Sequence, residues 1–237
     1  MYTPITGGTL LAAGTGTSGA PSIDDVTFTV ALPFTFNFNN VAHTTVQVQS
    51  NGHIAFGALT TNSYSPLSST ITNAGYVAAI ASDLQGGWNF VGTRTSGSPV
   101  ITGVSNLGPV QVGDFLSGTG IPAGATVVSI SGSDITMSAN ATSSGTTTGI
   151  NAVGPWTQMR WEVQGASPNQ VFIAQWQNFK RFGTAATTNQ HVRLNFQIRL
   201  HENGNVECVY GDCSPGLSTS TITLQVGLRG PTNVFAT

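Results

Sequence analysis

Cys208 and Cys213 are the only cysteines of the chain, and they lie close together in Glu207-Cys208-Val209-Tyr210-Gly211-Asp212-Cys213. In an oxidising compartment such a pair can close a small loop across a turn, so the two are read as a candidate disulfide, with two unpaired thiols as the alternative. A metal site is disfavoured, because no second Cys/His pair stands at ligand spacing. The histidines, His43, His53, His191 and His201, are scattered. His53 follows an Asn-Gly turn and His201 ends a strand, so both are expected to face solvent. No Gly-x-Ser-x-Gly elbow precedes a helix, no His-Glu-x-x-His occurs, and no phosphate loop follows a strand. No carboxylate pair can be nominated for hydrolysis of a glycoside. The expectation is a protein that is not an enzyme and needs no cofactor.

Calcium is the one cation the acidic residues suggest, since extracellular β-sandwiches often use it. Asp24, Asp25 and Asp83 are the candidates, Asp83 because it follows an apolar strand beside Gly86-Gly87. With no Asp-x-Asp-x-Asp loop, a turn-capping role for Asp83 is the stronger reading. Trp88, Trp156, Trp161 and Trp176 could stack on sugar rings if exposed together. Trp156 and Trp161 fall on opposite faces of one strand, so at least one of them belongs to a core. Arg160, Arg193, Arg199 and Arg229 are expected on an outer sheet face, paired across strands with Glu162, Glu202 and Glu207.

The elements that position these residues follow from composition. Charged residues make up 7% of the 237, against about 25% in an average soluble domain. Surface helices need Glu, Lys and Arg on the wet face, and this chain has a single lysine, Lys180. The net charge of −2 leaves no basic patch for nucleic acid. Thr, Ser, Asn and Gln with 29 Gly and 11 Pro describe many short strands joined by turns. No apolar run is long enough to span a bilayer, and the first residues lack the basic and apolar regions of a signal peptide.

Period-2 segments appear at 26–30, 34–38, 44–49, 54–56, 156–163, 192–200, 206–210 and 221–228, and apolar runs at 76–81, 88–93 and 171–176. Asn51-Gly52 between two of them is a strong hairpin signal. The fold class is therefore all-β, an antiparallel β-sandwich. From about Gly97 to Val153 the aromatics nearly vanish, leaving Phe115, and small residues dominate. This stretch is read as an inserted small β-rich module. The sandwich is then discontinuous, 1–96 and 154–237, with the Trp88 strand running on in the main sheet to the Trp156 strand.

The first twenty residues carry apolar side chains at Ile5, Leu10 and Leu11 but no long β-branched run. With Tyr2 they form a candidate assembly arm, suited to adding a strand to an exposed sheet edge. The edge is either in a neighbouring copy or in the arm's own sandwich.

Tyr2-Thr3-Pro4-Ile5-Thr6-Gly7-Gly8-Thr9, Leu32-Pro33-Phe34-Thr35-Phe36-Asn37-Phe38 and Val48-Gln49-Ser50-Asn51-Gly52-His53-Ile54-Ala55-Phe56-Gly57 resemble the opening of a β-sandwich domain. That domain is found in large secreted surface proteins of Bacteroidota exported by the type IX system. Gln175-Trp176-Gln177-Asn178-Phe179, Leu194 to Glu202, Val209-Tyr210-Gly211 and Gln225 to Gly230 follow in the same order. Ser117 to Gly124 is similar to a small module of phage tail and bacterial surface proteins. The resemblance implies an extracellular, non-enzymatic structural or adhesive protein at the cell surface, such as the repeating subunit of a filament. Its partners would be further copies, other surface proteins or glycans. The competing class is a carbohydrate-binding or receptor-binding module of a larger secreted or phage-tail protein.

Overall fold

The computed structural model describes residues 1–13, 23–59, 64–70, 72–105, 107, 110–154, 157–182, 193–213 and 223–231. In chain order the strands are β1 (Thr9–Ala13), β2 (Thr27–Phe38), β3 (Val41–Gln49), β4 (His53–Phe56), β5 (Gly75–Ala81), β6 (Leu84–Gly86) and β7 (Trp88–Arg94). There follow β8 (Val100–Ser105), β9 (Phe115–Ser117), β10 (Val127–Ser131), β11 (Asp134–Met137) and β12 (Gly145–Val153). The last are β13 (Gln158–Gln164), β14 (Val171–Arg181), β15 (Leu194–His201), β16 (Val206–Tyr210) and β17 (Gln225–Arg229). Every pairing between them is antiparallel, and the described residues form no helix.

Two sheets make the sandwich. One has the order β1-β13-β14-β15-β16, with β6 also paired to β14, and the other has the order β17-β5-β4-β3-β2. Their facing sides share one core: Val30, Leu32, Phe34, Phe36, Val48, Ile54 and Phe56 from one sheet meet Met159, Phe172, Trp176, Phe196, Ile198 and Leu200 from the other. The alternation in β2 shows how the sequence produces this. Val30, Leu32, Phe34 and Phe36 are buried while Thr29, Ala31, Pro33, Thr35 and Asn37 are exposed. The segments 26–30 and 34–38 are one strand, continuous through Pro33. Proline is tolerated because β2 is an edge strand and its pairing with β3 shifts register between Ala31 and Phe36.

The third sheet, β10-β11-β8-β7-β12-β9, has its own core of Trp88, Phe90, Ile101, Leu116, Ile135 and Ile150. It interrupts the sandwich between β6 and β13. The structure differs here from the expected boundary at 97. β7 pairs with β12 from Ala152↔Trp88 to Gly145↔Arg94, and with β8 on its other side, so the Trp88 strand belongs to the third sheet. An alternating or apolar run shows that a strand will bury side chains but not which sheet it joins. Phe90 finds Ile101 and Ile150 as its core partners, and these are distant in sequence.

Candidate functional site

Three groupings of polar residues stand out, and the first surrounds Asn51-Gly52. The sequence places this turn on the surface, yet Gln49, Ser50, Asn51 and His53 are all 0% exposed. Asn51 Nδ2 donates to Asp25 Oδ1 at 2.9 Å, and Asn51 Oδ1 accepts from Leu84 N at 2.8 Å. Trp176 Nε1 donates to the Gln49 carbonyl at 3.0 Å, and Ser50 exchanges bonds with Val26 through Ser50 N to Val26 O and Val26 N to Ser50 Oγ. Gly52 has φ +78, and a Cβ there would collide with the Ile80 carbonyl oxygen. The turn is thus a structural junction of β2, β3, β6 and β14. His53 is a correction to the expected solvent-facing residue: burial lowers its pKa to about 4.

Beside this turn, one oxygen from each of Asp24, Asp25 and Asp83 lies within 4.8 Å of the others, so the calcium candidates do meet. Three carboxylates are part of the six to eight oxygens calcium takes, and Asp25 already accepts from Asn51 and from Tyr64 Oη at 3.2 Å. The crowding shows in the electrostatics. Burial, then the charges of Asp25 and Asp83, raise Asp24 to about 6. Asp83 is also raised, by burial first and then by Asp25.

The second grouping is the outer face of the sheet containing β14. The first seven residues cross this face from β16 to β13. Gly211 packs against the Tyr2 ring, Gln197 Nε2 donates to Thr3 O at 2.7 Å, Ile5 and Gln175 exchange bonds of 2.8 and 3.1 Å, and Arg160 Nη1 donates to Gly7 O at 3.1 Å. Leu10 then enters β1, which pairs with the edge of β13. Of the candidate arm residues, Tyr2, Ile5, Leu10 and Leu11 therefore lie on their own sandwich. Ile5 is 4% exposed and Leu10 46%.

Cys208 and Cys213, the candidate disulfide, carry unbonded thiols in the structure. Cys208 Sγ lies 3.7 Å from the Ala78 carbonyl, whereas Cys213 Sγ lies 3.6 Å from that of Asn195, so each side chain is committed to a different neighbour. Trp88 and Trp176 are buried and Trp161 packs against Phe172, so these three form no exposed sugar platform; Trp156 lies outside the described residues. Arg199 reaches Glu207 at 3.8 Å as expected, but Arg229 is buried, donating to Pro66 O over the Tyr76 ring. His201 lies 3.3 Å from Glu207, and His191 lies outside the described residues.

The third grouping was not singled out in the sequence. A cleft of about 220 Å³ lies where the third sheet joins the sandwich. The module lines it with Trp88, Gln111, Asp114 and Ala152, and the sandwich and connectors with Gly87, Gly154, Thr157, Gln177, Asn178 and Arg193. β14 changes neighbours at this point, from β13 at Gln177 to β6 at Phe179, and its register with β15 shifts between Trp176 and Phe179. Asn178 takes φ +55 there. A bulge of this kind re-aims side chains, and here it turns Gln177 and Asn178 to the cleft. Gly86 and Gly87 let the connectors pass closely, since a Cβ on Gly86 would lie 2.6 Å from the Thr157 methyl. No local motif announces this site, because its residues come from five separated stretches. The Gly-Gly pair is the one local signal.

The NIDO-related family matches residues 1–103 and 132–237. The chain belongs to this family of nidogen-like, extracellular β-rich domains. The unmatched residues, 104–131, fall inside the third sheet and hold β9 and β10. No curated protein and no solved structure matches the chain. The family match carries the extracellular β-domain and not the type IX route or a Bacteroidota source.

Proposed function

We propose that the chain is a non-enzymatic structural or adhesive domain of a cell-surface protein or appendage. The observation that carries this reading is the third sheet, a lobe with its own core set into one connection of a closed sandwich. The sandwich core contains no residue of the lobe, which supports reading the lobe as an addition to a sandwich that can close without it. A lobe the fold can do without is suited to contact with partners. The surface fits the same reading. With 7% charged residues, identical copies can approach without strong like-charge repulsion. The resemblance to type IX-exported surface proteins supplies the route of export in this proposal, and filament formation is its assembled form.

Negative-stain imaging of the native material, with adhesion of the purified domain to cells and fibres, tests it. Filaments, or saturable adhesion that a lobe-deleted variant loses, are the expected result. A monodisperse protein that neither assembles nor adheres would exclude the reading.

A further inference from the structure

We propose that the cleft between the lobe and the sandwich binds a single neutral sugar ring. This rests on the adhesive reading of the domain and names a ligand class for it. Clefts between separately packed units are common ligand sites when a few polar groups converge on an apolar floor. Here Trp88 and Ala152 supply the apolar surface, and Gln111, Asp114, Thr157, Gln177, Asn178 and Arg193 the polar groups.

The charges decide the class. Asp114 is 8% exposed, and Asp114 Oδ2 accepts from Gln111 N at 2.9 Å. A carboxylate this buried ordinarily has a cation in contact. Arg193 is near enough to act on its charge, yet the two form no ion pair among the described residues. An anion placed between them would face Asp114, and a cation would face Arg193. A neutral polyol satisfies both, its hydroxyls donating to the carboxylate and accepting from the guanidinium and the side-chain amides.

Size limits the ligand. At about 220 Å³ the cleft is smaller than sites for drug-sized ligands, which start at about 300 Å³, so it suits one ring of a chain. Trp88 is 4% exposed, so it offers the ligand an apolar edge in the cleft floor and not an open stacking face.

The test titrates the full chain with neutral methyl pyranosides of glucose, galactose, mannose and N-acetylglucosamine, followed by saturation-transfer NMR. Sialic acid, glucosamine and glycine serve as anionic, cationic and zwitterionic probes. At least one neutral pyranoside should saturate with a dissociation constant on the order of millimolar, as for a small ligand held by few contacts. Asp114→Asn and Arg193→Gln should each weaken it about tenfold or more, the loss of a hydrogen bond to a charged group. Should either variant unfold, Gln111→Ala, at an exposed turn position, should weaken binding in a folded protein. Failure of every pyranoside to saturate, unchanged binding in the folded variants, or binding of a charged or zwitterionic probe alone would overturn the proposal. The adhesion assay separates the two readings. Adhesion without sugar binding removes the cleft proposal alone, and sugar binding without adhesion removes the adhesive reading alone.

Discussion

Asn51 joins Asp25 to the start of β6 from within a turn whose side chains are all buried. Asn51→Ala leaves Leu84 N without its acceptor, and the expected cost is about 2–3 kcal/mol, read from the urea midpoint at unchanged slope. Gly52→Ala is expected to cost at least as much, because the strained φ and the Ile80 carbonyl act together. Asp24 gives a pH signature. Its pKa is about 6 in the fold and 3.8 in the unfolded chain, so the folded state binds more protons between those values. Stability from this group therefore falls as pH rises from 3.8 to 6 and stays low above that. His53 acts in the opposite sense, losing stability as pH falls from 6.5 to about 4, so the informative quantity is the difference between wild type and Asp24→Asn. The variant should be the more stable at pH 7, with the gap closing by pH 4 in thermal unfolding scans. Lys180 is a further case. It is 1% exposed, its Nζ has no hydrogen-bond partner and lies 5.0 Å from the Trp88 centroid, and burial holds its pKa well below 10.5. Stability is lost as pH falls below 10.5, because the unfolded chain takes up a proton the fold refuses. Lys180→Met should raise stability by about 1–2 kcal/mol at pH 7 and remove that alkaline slope in urea titrations.

At the scale of elements, the arm is the segment whose partner the sequence left open. Residues 1–7 cover Gln175 and Gln197, which are 1% and 0% exposed, and answer their amides with backbone groups of Thr3 and Ile5. Removing residues 1–20 uncovers both amides and the β13 edge. The shortened chain is expected to unfold at lower urea and to bind a synthetic peptide of the arm. Unchanged oligomers after truncation would show that self-association does not run through it. Gly211→Ala tests the same contact from the other side, since a Cβ would lie 2.6 Å from the Tyr2 ring. Its expected effect is a loss of about 1–2 kcal/mol in chemical unfolding, the usual range for a forced overpacking.

For the whole molecule, two cores without a common residue imply two units joined at a pair of connectors. Excising 88–153 and joining Gly87 to Gly154 by a short linker should leave a sandwich that unfolds in one transition. A loss of cooperativity on calorimetry would show that the lobe supports the core. The cleft belongs to this scale too, because it exists only where both units are present.

The class of fold was legible in composition and local alternation. Alternation at 26–30, 34–38 and 206–210 marked residues that the structure, Val26 apart, places in strands, because side-chain periodicity is a local property of the chain, but it did not show that the first two segments are one strand. The tertiary structure decided the rest. It gave β7 to the third sheet, buried Asn51 and His53, brought Asp24 and Asp25 to Asp83, and laid the arm on its own sheet. Each of these depends on which strands become neighbours across long separations, and a strand pattern repeats too uniformly along this chain to encode its partners. The cleft is the extreme case, with Trp88, Asp114, Asn178 and Arg193 meeting only after the lobe has docked on the sandwich.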